Sequence, residues 1–331
     1  MNELQAKLKD KVIAITGASG YIGSALVNEL AKYSVKKIIR ISRTKLKTEE
    51  NIEDWNFDLN DLDSWLKIVD YSDIIFHLSG NTSISVAEKN PENSLNEELL
   101  PITNLVDAAK KLSIKPRVVY ASTATIYGLI NEFPVSEDQP SAPITSYDSN
   151  KLSVEKKLEM ATRENLLESV SLRLANVYGP SINDSSALDR GILSKITRLG
   201  FENKSIKVYG TGNYIRDYIY IDDVVQAFLF ASILNYEEIK TNDEILFNVS
   251  SGVGTPIKNV FGLIVNEIEK ITGFNLKIEN VSWPSGISEI EKRNFIGSAE
   301  RLKSLTSWSA KTSIEEGVYL LVNHLSKEYS K

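Results

Sequence analysis

Residues 12–23 read Val12-Ile13-Ala14-Ile15-Thr16-Gly17-Ala18-Ser19-Gly20-Tyr21-Ile22-Gly23. The unbroken apolar run that ends at Thr16 is the pattern of a strand covered on both faces, as in a parallel sheet; a half-exposed strand would alternate. Three glycines follow at intervals of three, and apolar residues then recur at helical spacing through residues 21–32. A strand, a glycine-rich turn and a helix in this order form a cradle for a dinucleotide. Gly17 makes the tight turn, Gly20 lets the backbone approach a pyrophosphate, and Gly23 lets the helix pack closely on the sheet. The free N–H groups of the helix N-terminus face the phosphates. Gly17, Ser19, Gly20, Tyr21 and Ile22 are the expected cofactor contacts.

Outward from this unit, residues 38–42, 73–77, 117–121, 170–174 and 245–249 read as further strands, and 99–111 as a helix between two of them. Strands alternating with helices imply an α/β fold, a doubly wound parallel sheet with right-handed crossovers. After Pro180 the pattern is less regular: residues 183–190 read as loop or helix entrance, 205–209 and 278–283 as short strands, and 222–234, 257–271 and 314–325 as helices. This is read as a smaller C-terminal α/β substrate-binding lobe. The expected division is a dinucleotide-binding domain over residues 1–180, to which 217–250 return, and a lobe made of 181–216 and 251–331.

The chain of 331 residues is long enough for an ample core, and its net charge of −6 argues against nucleic acid or an anionic membrane as partner. It has no cysteine and only two histidines, so no metal site is expected, and cytoplasmic residence is. The first residues are charged without an apolar core, and no signal peptide is read there.

Cofactor choice is set at the end of the second strand. A carboxylate there would receive the adenosine ribose and repel a 2′-phosphate. Ser42-Arg43 stands there instead, a hydroxyl and a guanidinium that suit a phosphate, which favours NADP over NAD. Asp58-Leu59 lies within reach of the adenine.

Tyr147 and Lys151 are four apart and share one helix face. A nearby ammonium favours phenolate and lowers the pKa of the phenol, which makes Tyr147 a base. Tyr33/Lys37 and Tyr236/Lys240 have the same spacing, but only Tyr147/Lys151 follows a strand that ends in hydroxyl residues, Ser122 and Thr123. Thr123 is the expected hydrogen-bonding partner of the reacting oxygen.

The ordered series Thr16 to Gly23, His77-Leu78-Ser79-Gly80, Ser122-Thr123-Ala124-Thr125-Ile126-Tyr127-Gly128, Tyr147-Asp148-Ser149-Asn150-Lys151, Arg173-Leu174-Ala175-Asn176-Val177-Tyr178-Gly179-Pro180 and Arg216-Asp217-Tyr218-Ile219-Tyr220-Ile221-Asp222-Asp223 resembles the extended short-chain dehydrogenases/reductases, the nucleotide-sugar epimerase/dehydratase group. The resemblance implies a Rossmann-type sheet, a homodimer through two helices per subunit (residues 99–111 and 152–167), and a nucleotide-diphosphate sugar as substrate. It places Leu78, Ser79 and Gly80 at the cofactor, Asn81 and Thr82 at the substrate, and Asn176 and Arg216 near the diphosphate. Asp222-Asp223 is read as a helix N-cap with first-turn charge. Residues 131–143, with three prolines, read as a loop over the active site.

The departures narrow the chemistry. Dehydratases of the group carry an Asp-Glu pair where this chain has Ala124-Thr125, so elimination lacks its acid and base. No decarboxylase glutamate is present there either. The helix asparagine of the group has no clean counterpart; Asn96 is nearest and Glu98 falls at the position. Trp308-Ser309-Ala310 lacks the usual proline, and Lys292 or Arg293 is the candidate for diphosphate contact from that region. What remains is an NAD(P)-dependent epimerase working through a 4-keto sugar, with an NADPH-dependent 4-keto-sugar reductase as the alternative and a non-catalytic dinucleotide-binding scaffold or sensor as the second.

Overall fold

The computed structural model describes residues 3–42, 51–182, 191–241 and 245–329. In chain order its elements are α1 (Glu3–Leu8), β1 (Val12–Thr16), α2 (Tyr21–Leu30), β2 (Lys37–Ile41), β3 (Ile52–Trp55), α3 (Leu62–Tyr71), β4 (Ile74–His77), α4 (Ile84–Lys89), α5 (Pro91–Leu112), β5 (Arg117–Thr123), α6 (Ser146–Arg163), β6 (Glu168–Leu174) and β7 (Asn176–Tyr178). There follow α7 (Ile192–Phe201), β8 (Ile206–Tyr209), β9 (Ile215–Tyr220), α8 (Ile221–Ser232), α9 (Tyr236–Thr241), β10 (Leu246–Val249), β11 (Gly254–Pro256), α10 (Ile257–Thr272), β12 (Ile278–Val281), α11 (Glu300–Leu305) and α12 (Ile314–Tyr329).

The parallel sheet has the order β10-β6-β5-β4-β1-β2-β3. Its order reverses between β1 and β4, and a crevice for a ligand opens at such a switch point, beyond the carboxyl ends of the strands. The apolar run at residues 12–16 now has its reason. Ile13 and Ile15 point into one core with α2 and α8, whereas Ala14 points into the other with α3, α5 and α6. Both faces of β1 are covered, so no polar residue was tolerated until the strand reached the crevice.

Helix α5 begins earlier than the periodicity suggests. Pro91 opens it, the Asn90 side chain accepts the Asn93 N–H, and Pro101 sits inside without ending it. α3, capped by Asp61, and β3 complete this half of the sheet.

Beyond β6 the chain leaves the main sheet. β7, β9 and β11 form a separate three-stranded sheet, β8 and β12 a two-stranded one, and β10 then returns to pair with β6. Asp222 and Asp223 lie in the first turn of α8, but neither is its N-cap, which is Tyr220. The Asp223 carboxylate instead accepts the N–H groups of Lys311 and Thr312, and its carbonyl accepts Trp308 Nε1–H, so it ties α8 to the segment that leads to α12. Among the described residues no helix is long and apolar enough to cross a membrane.

Candidate active site

Gly17 has φ of +67°, and a Cβ there would lie 2.8 Å from Ser79 N. Gly23 has no such backbone demand, but its Cβ would stand 2.2 Å from the Gly17 carbonyl oxygen. The first turn of α2 is therefore pressed against the loop. Its N-cap, Gly20, offers no side chain to the helix N–H groups, which leaves them for an anion. Thr16 Oγ1 accepts from Leu78 N and Ser79 N and bonds His77 Nδ1 at 3.0 Å, which joins the ends of β1 and β4. His77 is buried, and burial, helped by the Lys151 charge, pushes its pKa down to about 3.

A cleft of about 980 Å³ opens over these strand ends. Gly17, Ser19, Gly20, Tyr21, Ile22, Ser42, Asp58, Leu59, Leu78, Ser79 and Gly80 all line it, together with Asn81, Thr82, Tyr147 and Lys151. The Ser42 hydroxyl donates to Ser19 Oγ at 3.0 Å, linking the end of β2 to the glycine loop. Arg43 lies outside the described residues, as do residues 183–190. A cradle that any side chain at Gly17 would fill, beneath a free helix N-terminus, fits a dinucleotide pyrophosphate.

Tyr147 and Lys151 stand in the first two turns of α6, whose start is fixed by a capping box between Thr145 and Asp148. Lys151 Nζ pairs with Glu98 Oε2 of α5 and lies over the Tyr120 ring. Burial alone would lower the pKa of this ammonium, but Glu98 and the Tyr120 and Tyr147 phenols outweigh burial and raise it. Lys151 lowers the Tyr147 pKa as expected, but it does not decide the net direction. Burial raises it, Lys151 pulls it down, Glu98 and Asp148 push it up, and the net direction is upward.

Glu98 was legible only as a departure from a pattern. Its Oε1 accepts Asn81 N–H at 2.5 Å, so one carboxylate grips both Lys151 and the strand exit at Gly80-Asn81. Thr123, buried at the end of β5, bonds Thr125 Oγ1 at 2.9 Å; it is not among the residues that line the cleft, but it is near enough to pull the Tyr147 pKa down. Thr125, at one of the positions read as lacking a catalytic acid, donates to Asp148. Ser122 lines the cleft, and its hydroxyl donates to Glu155, which holds Arg173 in a buried ion pair.

Asn176 and Arg216 do not line this cleft. They belong to a second cluster with Arg293. Arg216 donates to the carbonyl oxygens of Arg293, Glu291 and Ile215, and Arg293 donates to Ile290 O and, at 3.4 Å, to Asn176 Oδ1. Burial first, then the Arg293 charge, lowers the Arg216 pKa to about 10, and burial lowers that of Arg293. Asn176 Nδ2 is buried with no hydrogen-bond partner. Two withdrawn guanidiniums, the Arg293 charge destabilising that of Arg216, stand beside an idle amide, and donors of this kind suit an anion. Asp148, next to Tyr147, is close enough for its charge to act on Arg293.

Asp217 does not pair with Arg216; it is fully buried and accepts N–H groups of Ser251, Gly252 and Gly297. Of the two candidates near the C-terminus, Lys292 is bound to Glu289 and only Arg293 reaches the cluster. Residues 131–143 do not line the cleft. Val135 exchanges backbone hydrogen bonds with Ile296 and Ser298, and Val135 O and Glu137 hold Asn248, so this loop straps the C-terminal half to β10.

The profile of the NAD dependent epimerase/dehydratase family matches residues 13–249. The chain is 25% identical over 313 residues to a UDP-glucose 4-epimerase of Mycolicibacterium smegmatis, covering 92% of this chain and 95% of that one. It is 26% identical over 320 residues to a UDP-N-acetyl-alpha-D-glucosaminuronate decarboxylase of Bacillus cytotoxicus, covering 92% and 94%. The crystal structure of a Thermotoga maritima UDP-glucose 4-epimerase with UDP-glucose superposes with a TM-score of 0.80 at 27% identity, covering 96% of this chain and 99% of that one. The parallel sheet, the glycine loop at its switch point and the match over most of the chain agree: the protein belongs to the NAD-dependent epimerase/dehydratase family, the extended short-chain dehydrogenases/reductases that its motifs resemble.

Proposed function

We propose that this enzyme is an NAD(P)-dependent nucleotide-sugar 4-epimerase. The observation that carries the reading is the placement of Tyr147 and Lys151 on the glycine-loop cleft, beside a cluster with two guanidiniums. Gly17, Ser19, Gly20, Tyr21 and Ile22 hold the pyrophosphate of the cofactor, and Ser42 with Arg43 favours NADP. A nicotinamide held there would supply the acceptor and donor of hydride for the sugar C4. Tyr147 removes the proton of the C4 hydroxyl and later returns it, and Thr123 holds the same oxygen. Lys151 counters the phenolate charge. Arg216, Arg293 and Asn176 grip the diphosphate, so the sugar turns about a fixed anchor. Asn81 and Thr82 border the sugar.

A 4-keto-sugar reductase is the second reading, favoured by the hydroxyl of Ser42 in place of an acid. Denaturing the purified protein and identifying released dinucleotide by mass spectrometry separates the two. Retained cofactor, with interconversion of UDP-glucose and UDP-galactose and no net change in cofactor, supports the epimerase. An empty protein that binds NADPH well above NADH and oxidises it with a 4-keto sugar replaces it. We also propose a homodimer through α5 and α6, where Leu100 and Met160 are 43% and 62% exposed. Charged substitutions at both positions give monomers by sedimentation if this face is the interface.

A further inference from the structure

Four charged side chains line the cleft among the described residues: Asp58, Glu97, Glu98 and Lys151. Asp58 and Glu97 are exposed, where water and salt screen them. Glu98 and Lys151 are buried, with side chains 3% and 7% exposed, and their charges act unscreened. Glu98 is also held still. One oxygen accepts Asn81 N–H, the other takes Lys151 Nζ at 3.1 Å, and a Cβ on Gly80 would come within 2.6 Å of the first. Both oxygens therefore act as acceptors, the arrangement of an ionised carboxylate. The buried wall that carries Lys151 thus has no net charge. Without Glu98 it would carry one positive charge.

That difference matters to a ligand whose own charge changes. An oxidised nicotinamide ring bears a positive charge and a reduced one bears none. A lone buried ammonium repels the first and is indifferent to the second, whereas a neutral ion pair lifts that penalty. We propose that Glu98 is a specificity-determining residue that biases the cleft toward the oxidised form of the dinucleotide. The inference rests on the reading of this cleft as a dinucleotide site with its nicotinamide end beside Tyr147 and Lys151, and it adds which redox state the site holds at rest. A resting oxidised form suits an epimerase, which must begin by withdrawing hydride from its substrate. A reductase must begin with the reduced form.

Binding in the absence of sugar tests this. Kd values of the oxidised and reduced forms of NAD and of NADP are measured by calorimetry on the full chain, freed of any retained dinucleotide. Two isosteric pairs at residue 98 isolate the charge: wild type against Glu98→Gln, and Glu98→Asp against Glu98→Asn. In each pair the neutral member is expected to raise the ratio of oxidised to reduced Kd about tenfold, the order for one unit charge acting across about 10 Å at an effective dielectric constant of about 20. The second pair carries the test if Glu98→Gln is unstable. Loss of the bond from Asn81 N–H loosens the strand exit for both forms alike, so a purely structural role leaves the ratio unmoved. Ratios that do not differ between the charged and the neutral member of a pair overturn the proposal. A wild-type chain that binds neither form sinks the dinucleotide reading itself, whereas intact binding with an unmoved ratio sinks only the role of Glu98.

Discussion

Lys151 Nζ stands 3.1 Å from Glu98 Oε2, and neither side chain is more than 7% exposed. The ammonium that should favour the Tyr147 phenolate is thus shared with a carboxylate, and Glu98 itself raises the phenol's pKa. Glu98→Gln removes the charge and keeps one acceptor oxygen for Lys151, at the cost of the bond from Asn81 N–H. The phenolate then becomes easier to form, so the acid limb of the kcat/KM pH profile moves down by about one unit. An acid limb that stays in place would show that the pair acts only on structure. Glu98→Ala leaves Lys151 buried without a partner and costs about 3–5 kcal/mol in urea unfolding.

His77 makes stability depend on pH. Its folded pKa, about 3, lies below the ordinary 6.5, so the unfolded chain takes up the proton first as pH falls. Its contribution is complete above about pH 6.5 and is lost as pH drops toward 3, reaching roughly 2 kcal/mol of loss by pH 5. Urea unfolding of wild type and His77→Gln at pH 7 and pH 5 should differ in slope by that amount. Parallel curves would mean that His77 is not held neutral by the fold.

Gly23→Ala places a methyl group against the Gly17 carbonyl and should cost about 1–3 kcal/mol of stability while also loosening the dinucleotide. Gly20→Ala meets the same oxygen at 3.1 Å, a milder contact. It should unfold close to wild type and yet bind the cofactor more weakly, because the methyl group lies where a pyrophosphate must approach. Thermal melts with and without NAD(P) separate the two effects.

Arg293 and Lys292 are adjacent in sequence and unlike in setting. Arg293→Met should weaken UDP binding by about 10- to 100-fold in calorimetry, the range for a hydrogen bond to a charged group. Lys292→Met should leave it unchanged, since Lys292 is occupied with Glu289 at the surface. Equal losses would mean that only net charge matters there.

The strands of the parallel sheet were legible because burial on both faces keeps β1 and β4 apolar up to their last residues, Thr16 and His77, and the glycine loop because its spacing follows from close approach. β9 was not legible. Its Arg216 and Asp217 break the apolar pattern, and both are buried for reasons set by other segments: the carbonyls of Glu291 and Arg293 for one, the N–H groups at Ser251, Gly252 and Gly297 for the other. The pairing of Tyr147 with Lys151 could be read from a four-residue spacing. The net direction of the Tyr147 pKa could not, because burial and a carboxylate on α5 outweigh the neighbour that the spacing supplies. The choice between Lys292 and Arg293 is likewise a matter of which side chain the tertiary structure turns toward Asn176.

The return of β10 to the edge of β6 has a consequence for synthesis on the ribosome. A chain that has emerged as far as Leu174 has made β1 to β6, but the outer N–H and C=O groups of β6 have no partner. They wait until Val249 has cleared the exit tunnel, after the entire excursion through β7, β8 and β9 has been translated. During that interval the nascent protein displays an open edge built from Ser171, Leu172, Arg173 and Leu174, a template for pairing with a neighbouring chain on the same message.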